Sequence, residues 1–269
     1  MFTVEILSIG NELLIGKIAN TNAQYLARRI TELGGKVTRI IVVGDNLDEI
    51  AEAVRESLGR RPSFIITTGG LGPTFDDMTL TGIGRALNLE MVLNEEALRM
   101  VRERYEVLSR ERGIPFELTP ARIKMAILPK NAEPIRNPIG TAPGVRLMID
   151  STVIYALPGV PSEMRAIFEE YIAPILAKIS DRVFAERYLF IEGVPESSLA
   201  PILEEAMGKY TDIYVKSHPR VEEGKPHIEL HITTYSESRE RAESILSAVA
   251  EYLKKAVRER GGLVLEKHT

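Results

Sequence analysis

Two aspartates, Asp76 and Asp77, stand side by side in the stretch TTGGLGPTFDDMT, residues 67–79. Ahead of them a strand-forming run, SFIITT, stops at a loop containing Gly69, Gly70 and Gly72. Glycines let successive backbone N–H groups turn into one concavity, and such nests bind anions. Thr79 can open a helix, whose N-terminus also favours phosphate. Carboxylates beside an anion repel it unless a cation lies between them. A divalent ion, Mg2+ by its preference for hard oxygen ligands, would reconcile the two by joining Asp76 or Asp77 to a phosphate or pyrophosphate. The competing reading is a solvated turn whose aspartates merely cap the next helix.

Other polar side chains follow apolar runs in similar positions. GNELLIGKIANTN offers Asn11, Glu12 as a metal ligand or base, and Lys17 as a phosphate contact, or it is a plain polar loop. In GDNLDE, Asp45 is a further acid for the site or a helix cap, with Asn46 and Asp48 as rival caps. NPIGTAPG and LPGVPSEM are loops stiffened by proline and glycine, and their hydroxyls, Thr141 and Ser162, suit phosphate or ribose. Glu163 is another acid, or a favourable charge in the first turn of a helix. The histidines, His218, His227, His231 and His268, lie in the last third. His227 and His231 fall on a strand pattern, where residues four apart share a face, so they form no helical zinc pair. No serine-hydrolase elbow, Walker loop or Rossmann glycine fingerprint occurs.

Positioning these groups requires a scaffold, and the pattern supplies one. TVEILSIG is an apolar, β-branched run ending in glycine and reads as a buried strand. Asn20 caps a helix to about Leu33, with Leu26, Ile30 and Leu33 on one face and Gly34-Gly35 as the stop. KVTRIIVVG is a second strand, NLDEIAEAVRESLG a second helix and SFIITT a third strand. Such alternation predicts βαβ units and a mostly parallel sheet covered on both faces, with ligands at the carboxyl ends of its strands. The middle reads as helical. Asn94 opens a helix that stops at Gly113, and PARIKMAILP gives a second amphipathic helix. VRLMIDSTVIYAL is a strand pair turning near Asp150, and Pro161 opens a helix to about Ile179. After Ser180 the order becomes βαββα, a small two-layer α+β domain, which places the domains at 1–179 and 180–269.

A length of 269 residues suits one large or two modest domains. With 44% hydrophobic and 27% charged residues the chain is an ordinary globular one, and its net charge of −4 argues against a dedicated nucleic-acid binder. No apolar run reaches the ~18 residues of a membrane helix. MFTVEILSIG lacks the basic region and cleavage site of a signal peptide, and cysteine is absent, so a cytoplasmic location is expected. A single glutamine, Gln24, among many Glu, Arg and Lys leans toward a thermophilic source.

Four separated stretches, SIGNELLIGKIANTNAQYLA, TTGGLGPTFDDMT, NPIGTAPG and LPGVPSEM, together resemble the competence/damage-inducible CinA family over about residues 3–178. The resemblance implies a three-layer α/β/α fold of the molybdopterin-binding type and a small KH-like domain after it, without the nicotinamide mononucleotide deamidase domain of longer members. Related molybdopterin enzymes adenylylate a pterin with Mg2+. CinA-like domains, and a similar domain of eukaryotic FAD synthase, are associated with metal-dependent cleavage of ADP-ribose or FAD. Asp77 matches the single loop acid of the molybdopterin relatives and Asp45 the acid after the second strand, whereas Asp76 is an addition typical of the CinA branch.

The expected activity is therefore metal-dependent hydrolysis of a nucleotide pyrophosphate, ADP-ribose or an FAD-like dinucleotide, to AMP and a phosphate product. The alternatives are molybdopterin binding or adenylyl transfer in molybdenum cofactor biosynthesis, and a non-catalytic nucleotide-binding module. The expected catalytic residues are Asp77, Asp76, Glu12 and Asp45, with Asp76, Asp77 and Asp45 on Mg2+, Mn2+ or Co2+. Gly69, Gly70, Gly72, Thr74, Lys17, Asn20, Thr141, Ser162 and Glu163 are expected to bind substrate. A homodimer is expected. Nucleic acid is not expected, because the tail lacks the G-x-x-G loop of an RNA-binding KH domain.

Overall fold

The computed structural model describes residues 1–222 and 225–265. Two compact units make up the chain, residues 1–31 with 35–179, and residues 32–34 with 180–269.

The first unit opens with β1 (Thr3–Ile9), a single turn α1 (Asn11–Leu14) and α2 (Thr21–Glu32), then β2 (Lys36–Val43) with α3 (Leu47–Gly59), and β3 (Phe64–Thr68) with α4 (Thr79–Leu87). Short polar side chains set the helix starts. Asn20 Oδ1 accepts from the Ala23 N–H, and Asn46 Oδ1 from those of Asp48 and Glu49. There follow β4 (Met91–Leu93), α5 (Glu95–Arg112), α6 (Pro120–Lys124), β5 (Ile127–Pro129), β6 (Glu133–Ile135), β7 (Gly144–Ile149), β8 (Thr152–Leu157), α7 (Pro161–Ile167) and α8 (Ala173–Ile179). The sheet runs β2-β1-β3-β8-β7-β6, parallel from β2 through β8 and antiparallel over the β8-β7-β6 meander. Both faces of β1 are buried. Leu7 and Ile9 join Ile50 and Val54 of α3 and Ile83 of α4 in one core, while Val4 and Ile6 are equally covered on the other face. Burial on both sides explains why β1 and β3 read as largely apolar runs, whereas β2, at the sheet edge, has no buried residue, so the expected cover on both faces does not extend to it.

One expected helix is mostly something else. PARIKMAILP is helical only over α6, and its second half is β5, paired antiparallel with β4. Pro129 cannot donate within a helix, and Leu128 is buried opposite Val92, so strand pairing wins over the local amphipathic pattern.

The second unit contains β9 (Val183–Glu192), α9 (Glu196–Lys209), β10 (Ile213–Glu222), β11 (Lys225–Ser236), α10 (Arg239–Arg258) and β12 (Leu263–Leu265). All strand neighbours are antiparallel, in the order β10-β11-β9-β12. The last strand completes a βαββαβ sequence of the ferredoxin-like, split βαβ kind, a sixth element that the KH-like expectation did not include. His227 and His231 do share a strand face: His231 stacks on Tyr188 with ring centroids 4.5 Å apart, and His227 lies 5.9 Å from Phe190. Residues 223 and 224 and His268 lie outside the described residues. No helix among the described residues is long and apolar enough to cross a membrane.

A carboxylate lies inside the first unit. Glu5, on β1, is only 2% exposed. Arg60, just after α3, grips it with two bonds of 2.8 Å, and Arg39 of β2 lies 3.6 Å away. Burial alone would raise its pKa, but hydrogen bonds from Arg60 and Ser57 and the charges of Arg60 and Arg39 outweigh that and hold it below the usual carboxylate range. A lowered folded pKa means stabilisation that is complete above the unfolded value of ~4.3 and lost as pH falls through the folded one. Wild-type stability in guanidinium titrations should thus decline below about pH 4.3, and less steeply in Glu5→Gln. Arg60→Ala, which leaves the carboxylate buried, should cost about 3 kcal/mol at neutral pH.

Candidate functional site

Strand β1 is flanked by β2 on one side and β3 on the other, so the winding direction switches there. Crevices for ligands form outside the carboxyl ends of strands at such a point. Here the loops close in through backbone contact. Gly69, the first residue after β3, donates its N–H to the Leu157 carbonyl at the end of β8, 3.0 Å away. Its φ is +103°, and a Cβ there would stand 2.2 Å from the carbonyl oxygen of Ile9 at the end of β1. Only glycine fits. The loop then folds back on the start of α4. The buried Thr79 donates its hydroxyl to the Gly69 carbonyl (2.8 Å) and its N–H to that of Gly70 (3.1 Å). That N–H is therefore taken up by the loop and is not offered to an anion.

The paired acids meet at Thr74. Asp77 Oδ2 accepts from the Thr74 N–H (2.8 Å) and stands 2.6 Å from its hydroxyl, while Asp76 Oδ1 stands 2.5 Å from the same hydroxyl. One hydroxyl has one proton, so two carboxylates converge on an oxygen that can satisfy a single acceptor. The Thr74 hydrogen bond first, then a backbone N–H and the charge of Lys124, hold Asp76 below the usual carboxylate range. Lys124 reaches the carbonyl of Thr74. Asp45, after β2, is stitched to the loop after β1: it accepts from the Asn11 N–H at 2.8 Å, and its own N–H donates to Asn11 Oδ1 at 3.2 Å. Asn46 takes the capping role for which Asp45 was a candidate.

These groups line one open cleft of about 390 Å³, with Glu12, Asp45, Gly69, Gly70, Gly72, Asp76, Asp77, Thr141 and Glu163 in its walls. Asn20 lines a smaller adjoining cavity that shares Glu12 and Gly69 with the cleft. Its side chain caps α2 and exchanges hydrogen bonds with Ser8. Lys17 and Ser162 are exposed and are absent from either lining. Thr74 acts through the aspartates that it holds. Glu163 is tied down by Asn137, whose Nδ2 donates to Glu163 Oε2 (2.7 Å) and to the Ala142 carbonyl (2.8 Å). Asn137 Oδ1 accepts in turn from the N–H groups of Ile139 and Gly140. The sequence offered no sign of this hub beyond an Asn-Pro pair. Asn22, also unforeseen, donates to the Gly159 carbonyl at 2.8 Å.

Among the described residues no three acids or histidines gather closely enough to cage a metal. Mg2+ seldom uses such cages. It binds through one or two carboxylates, the substrate's phosphates and several waters. Two crowded carboxylates with hard oxygen donors fit that style of binding.

The loop contact at Gly69 can be tested against a freer glycine. Gly69→Ala should cost about 2–4 kcal/mol, combining a disfavoured backbone with a clash against fixed backbone atoms. Gly16 has φ +69° but nothing within 4 Å of a Cβ, so Gly16→Ala should cost only about 1 kcal/mol. Chemical denaturation of both variants measures the difference.

A family model described as "Probable molybdopterin binding domain" matches residues 5–178, which contain every residue of the cleft. A protein of Metallosphaera sedula is 44% identical over 263 residues, 97% of each chain. One of Pyrobaculum arsenaticum is 47% identical over 259 residues, 96% of this chain and 95% of the other. The crystal structure of the protein CinA, of unknown function, from Thermoplasma acidophilum is 39% identical, covering 62% of this chain and 94% of that one with a TM-score of 0.57. The chain therefore belongs to the molybdopterin-binding-domain family and is a CinA-like member of it.

Proposed function

We propose that the cleft binds a phosphate-bearing pterin of the molybdopterin class, with a divalent cation beside Asp76 and Asp77. The observation that carries this reading is the glycine loop itself, held against the ends of β1 and β8 with the two aspartates at its far end. Family membership supports the pterin as ligand. The loop leaves backbone on the cleft wall where side chains would otherwise stand, so a flat or phosphorylated group can approach closely. Asp76, Asp77 and Asp45 are the residues that would hold Mg2+, Mn2+ or Co2+. When bound, the cation offsets the repulsion between carboxylates and phosphate and polarises the phosphoryl oxygens.

A second reading is hydrolysis of a nucleotide pyrophosphate, and the extra acid Asp76 favours it. A carboxylate with its pKa held low stays ionised and can orient a water toward phosphorus. Attack by that water on ADP-ribose forms one P–O bond and breaks the bridging P–O bond, giving AMP and ribose 5-phosphate. From FAD the products are AMP and FMN.

Equilibrium titration of the purified chain with molybdopterin, ADP-ribose and FAD, with and without Mg2+, separates the readings. Binding of the pterin without turnover is expected, weakened roughly tenfold when Mg2+ is withheld or in Asp77→Asn. Absence of pterin binding, together with Mg2+-dependent release of AMP from ADP-ribose that falls at least ~10²-fold in Asp77→Asn, would replace the first reading with the second.

A further inference from the structure

The lining of the cleft carries five carboxylates, Glu12, Asp45, Asp76, Asp77 and Glu163, and no lysine or arginine. A cation at Asp76 and Asp77 can offset one phosphate's approach there. A ligand with a second, terminal anionic group needs positive charge elsewhere.

That charge lies on the far side of Thr141. A second cavity, of about 100 Å³, shares Thr141 with the cleft and is walled by Arg104 of α5 and by Arg136, just ahead of the loop that Asn137 organises. Arginine at the protein surface is commonly paired, and much of this chain follows that habit: Arg99 alone bridges Glu96 and Glu103. Arg104 and Arg136 have no ion pair among the described residues. Arg104 is half-buried and donates one N–H to the Ile139 carbonyl. Its Nε is shut off from solvent and has no hydrogen-bond partner among the described residues. An anion in the cavity is therefore met by the outer guanidinium N–H groups that the Ile139 carbonyl leaves free, which carry the charge of an arginine with no carboxylate partner. Glu103 also borders the cavity, but its carboxylate is engaged by Arg99 2.5 Å away, so the wall keeps a positive excess.

We propose that this cavity is an anion subsite for a phosphate monoester, gripped by Arg104 and Arg136, at the end of the ligand remote from the paired aspartates. The inference rests on the phosphate-ligand reading above and deepens it. A terminal monoester is a dianion with three free oxygens, which suits two guanidinium groups. The internal pyrophosphate of a dinucleotide has no such end. The subsite therefore selects for a ligand that carries a terminal phosphate.

The test uses the full chain in EDTA, where the carboxylate cleft has no divalent ion with which to attract an anion. Inorganic phosphate is titrated by calorimetry, with sulfate for comparison. Millimolar or tighter phosphate binding is expected, weakened roughly tenfold in Arg136→Ala and more in Arg104→Gln. Arg136 is exposed, so its variant should keep the wild-type thermal midpoint and remains interpretable if Arg104→Gln unfolds. No metal-free phosphate binding, or binding unchanged in a folded Arg136→Ala, overturns the subsite. Pterin binding that depends on Asp77 and Mg2+ but is indifferent to both arginines would overturn it too, while leaving the reading of the cleft intact.

Discussion

The approach of three backbones at Gly69 is the constraint on which the rest of the first unit's functional edge depends. Its missing side chain lets the carbonyl of Ile9 sit where a Cβ would be, while its N–H reaches Leu157. Gly159 continues the contact from the β8 side, with a Cβ position 3.3 Å from Gly69 Cα. The ends of β1, β3 and β8 are thus brought together without intervening side chains, and the cleft floor is largely backbone. Acids from neighbouring loops then face a common space, with the Glu12 carboxylate lying against Gly10 and that of Asp77 against Gly72.

Side chains that accept backbone N–H groups fix those loops in turn. Asp77, Asn11 with Asp45, and Asn137 each hold one loop by several short polar contacts. Holding a carboxylate through a neighbour's hydroxyl or amide reduces the freedom lost when a ligand or cation arrives, which is how preorganised sites gain affinity. The charge distribution complements this rigidity. Carboxylates crowd one end of the accessible space and unpaired guanidinium groups border the other, so a ligand carrying both a cation-binding and an anionic end would be oriented before it made close contact.

Much of this arrangement was legible in the sequence because its causes are local. Apolar runs closed by glycine gave β1, β2 and β3, and Asn20, Asn46 and Asn94 marked helix starts by a side-chain chemistry that needs no tertiary context. β4, β5, β6 and β12 escape the sequence because three residues carry no periodicity; they are strands only by virtue of a partner. Nothing in TVEILSIG marks Glu5 as a buried, paired carboxylate, since its partner Arg60 lies in a different element. In the site, the glycine loop and its acids could be placed at the end of β3 from the strand pattern alone, but it takes the fold to separate a cleft lining from a capping turn: α4 has no side-chain cap and both aspartates face the cleft. Lys17 and Ser162 stand beside candidate loops in the chain, and adjacency alone does not aim a side chain into a cleft. A helical turn and a one-residue offset after Pro161 leave them exposed instead, while Glu163, next to Ser162, reaches the lining. Asn137 and Asn22 act through hydrogen bonds to distant carbonyls and amides, which no spacing rule encodes.

The pairing of β3 with β8 also bears on when the site comes into being. Phe64 pairs with Val153, and everything between them, including α4, α5 and the β4-β5 ladder, must be looped out before that contact can form. Closing so long a loop has an entropic cost and slows folding. The β1-β2 and β1-β3 ladders span shorter separations and can form first. During synthesis the glycine loop would leave the ribosome well before Leu157, the acceptor that pins Gly69, so the newborn chain holds its acids on an unfinished edge until β8 is inserted. The cleft is thus among the last features of the first unit to be completed, and its appearance can serve as a late reporter of correct strand order.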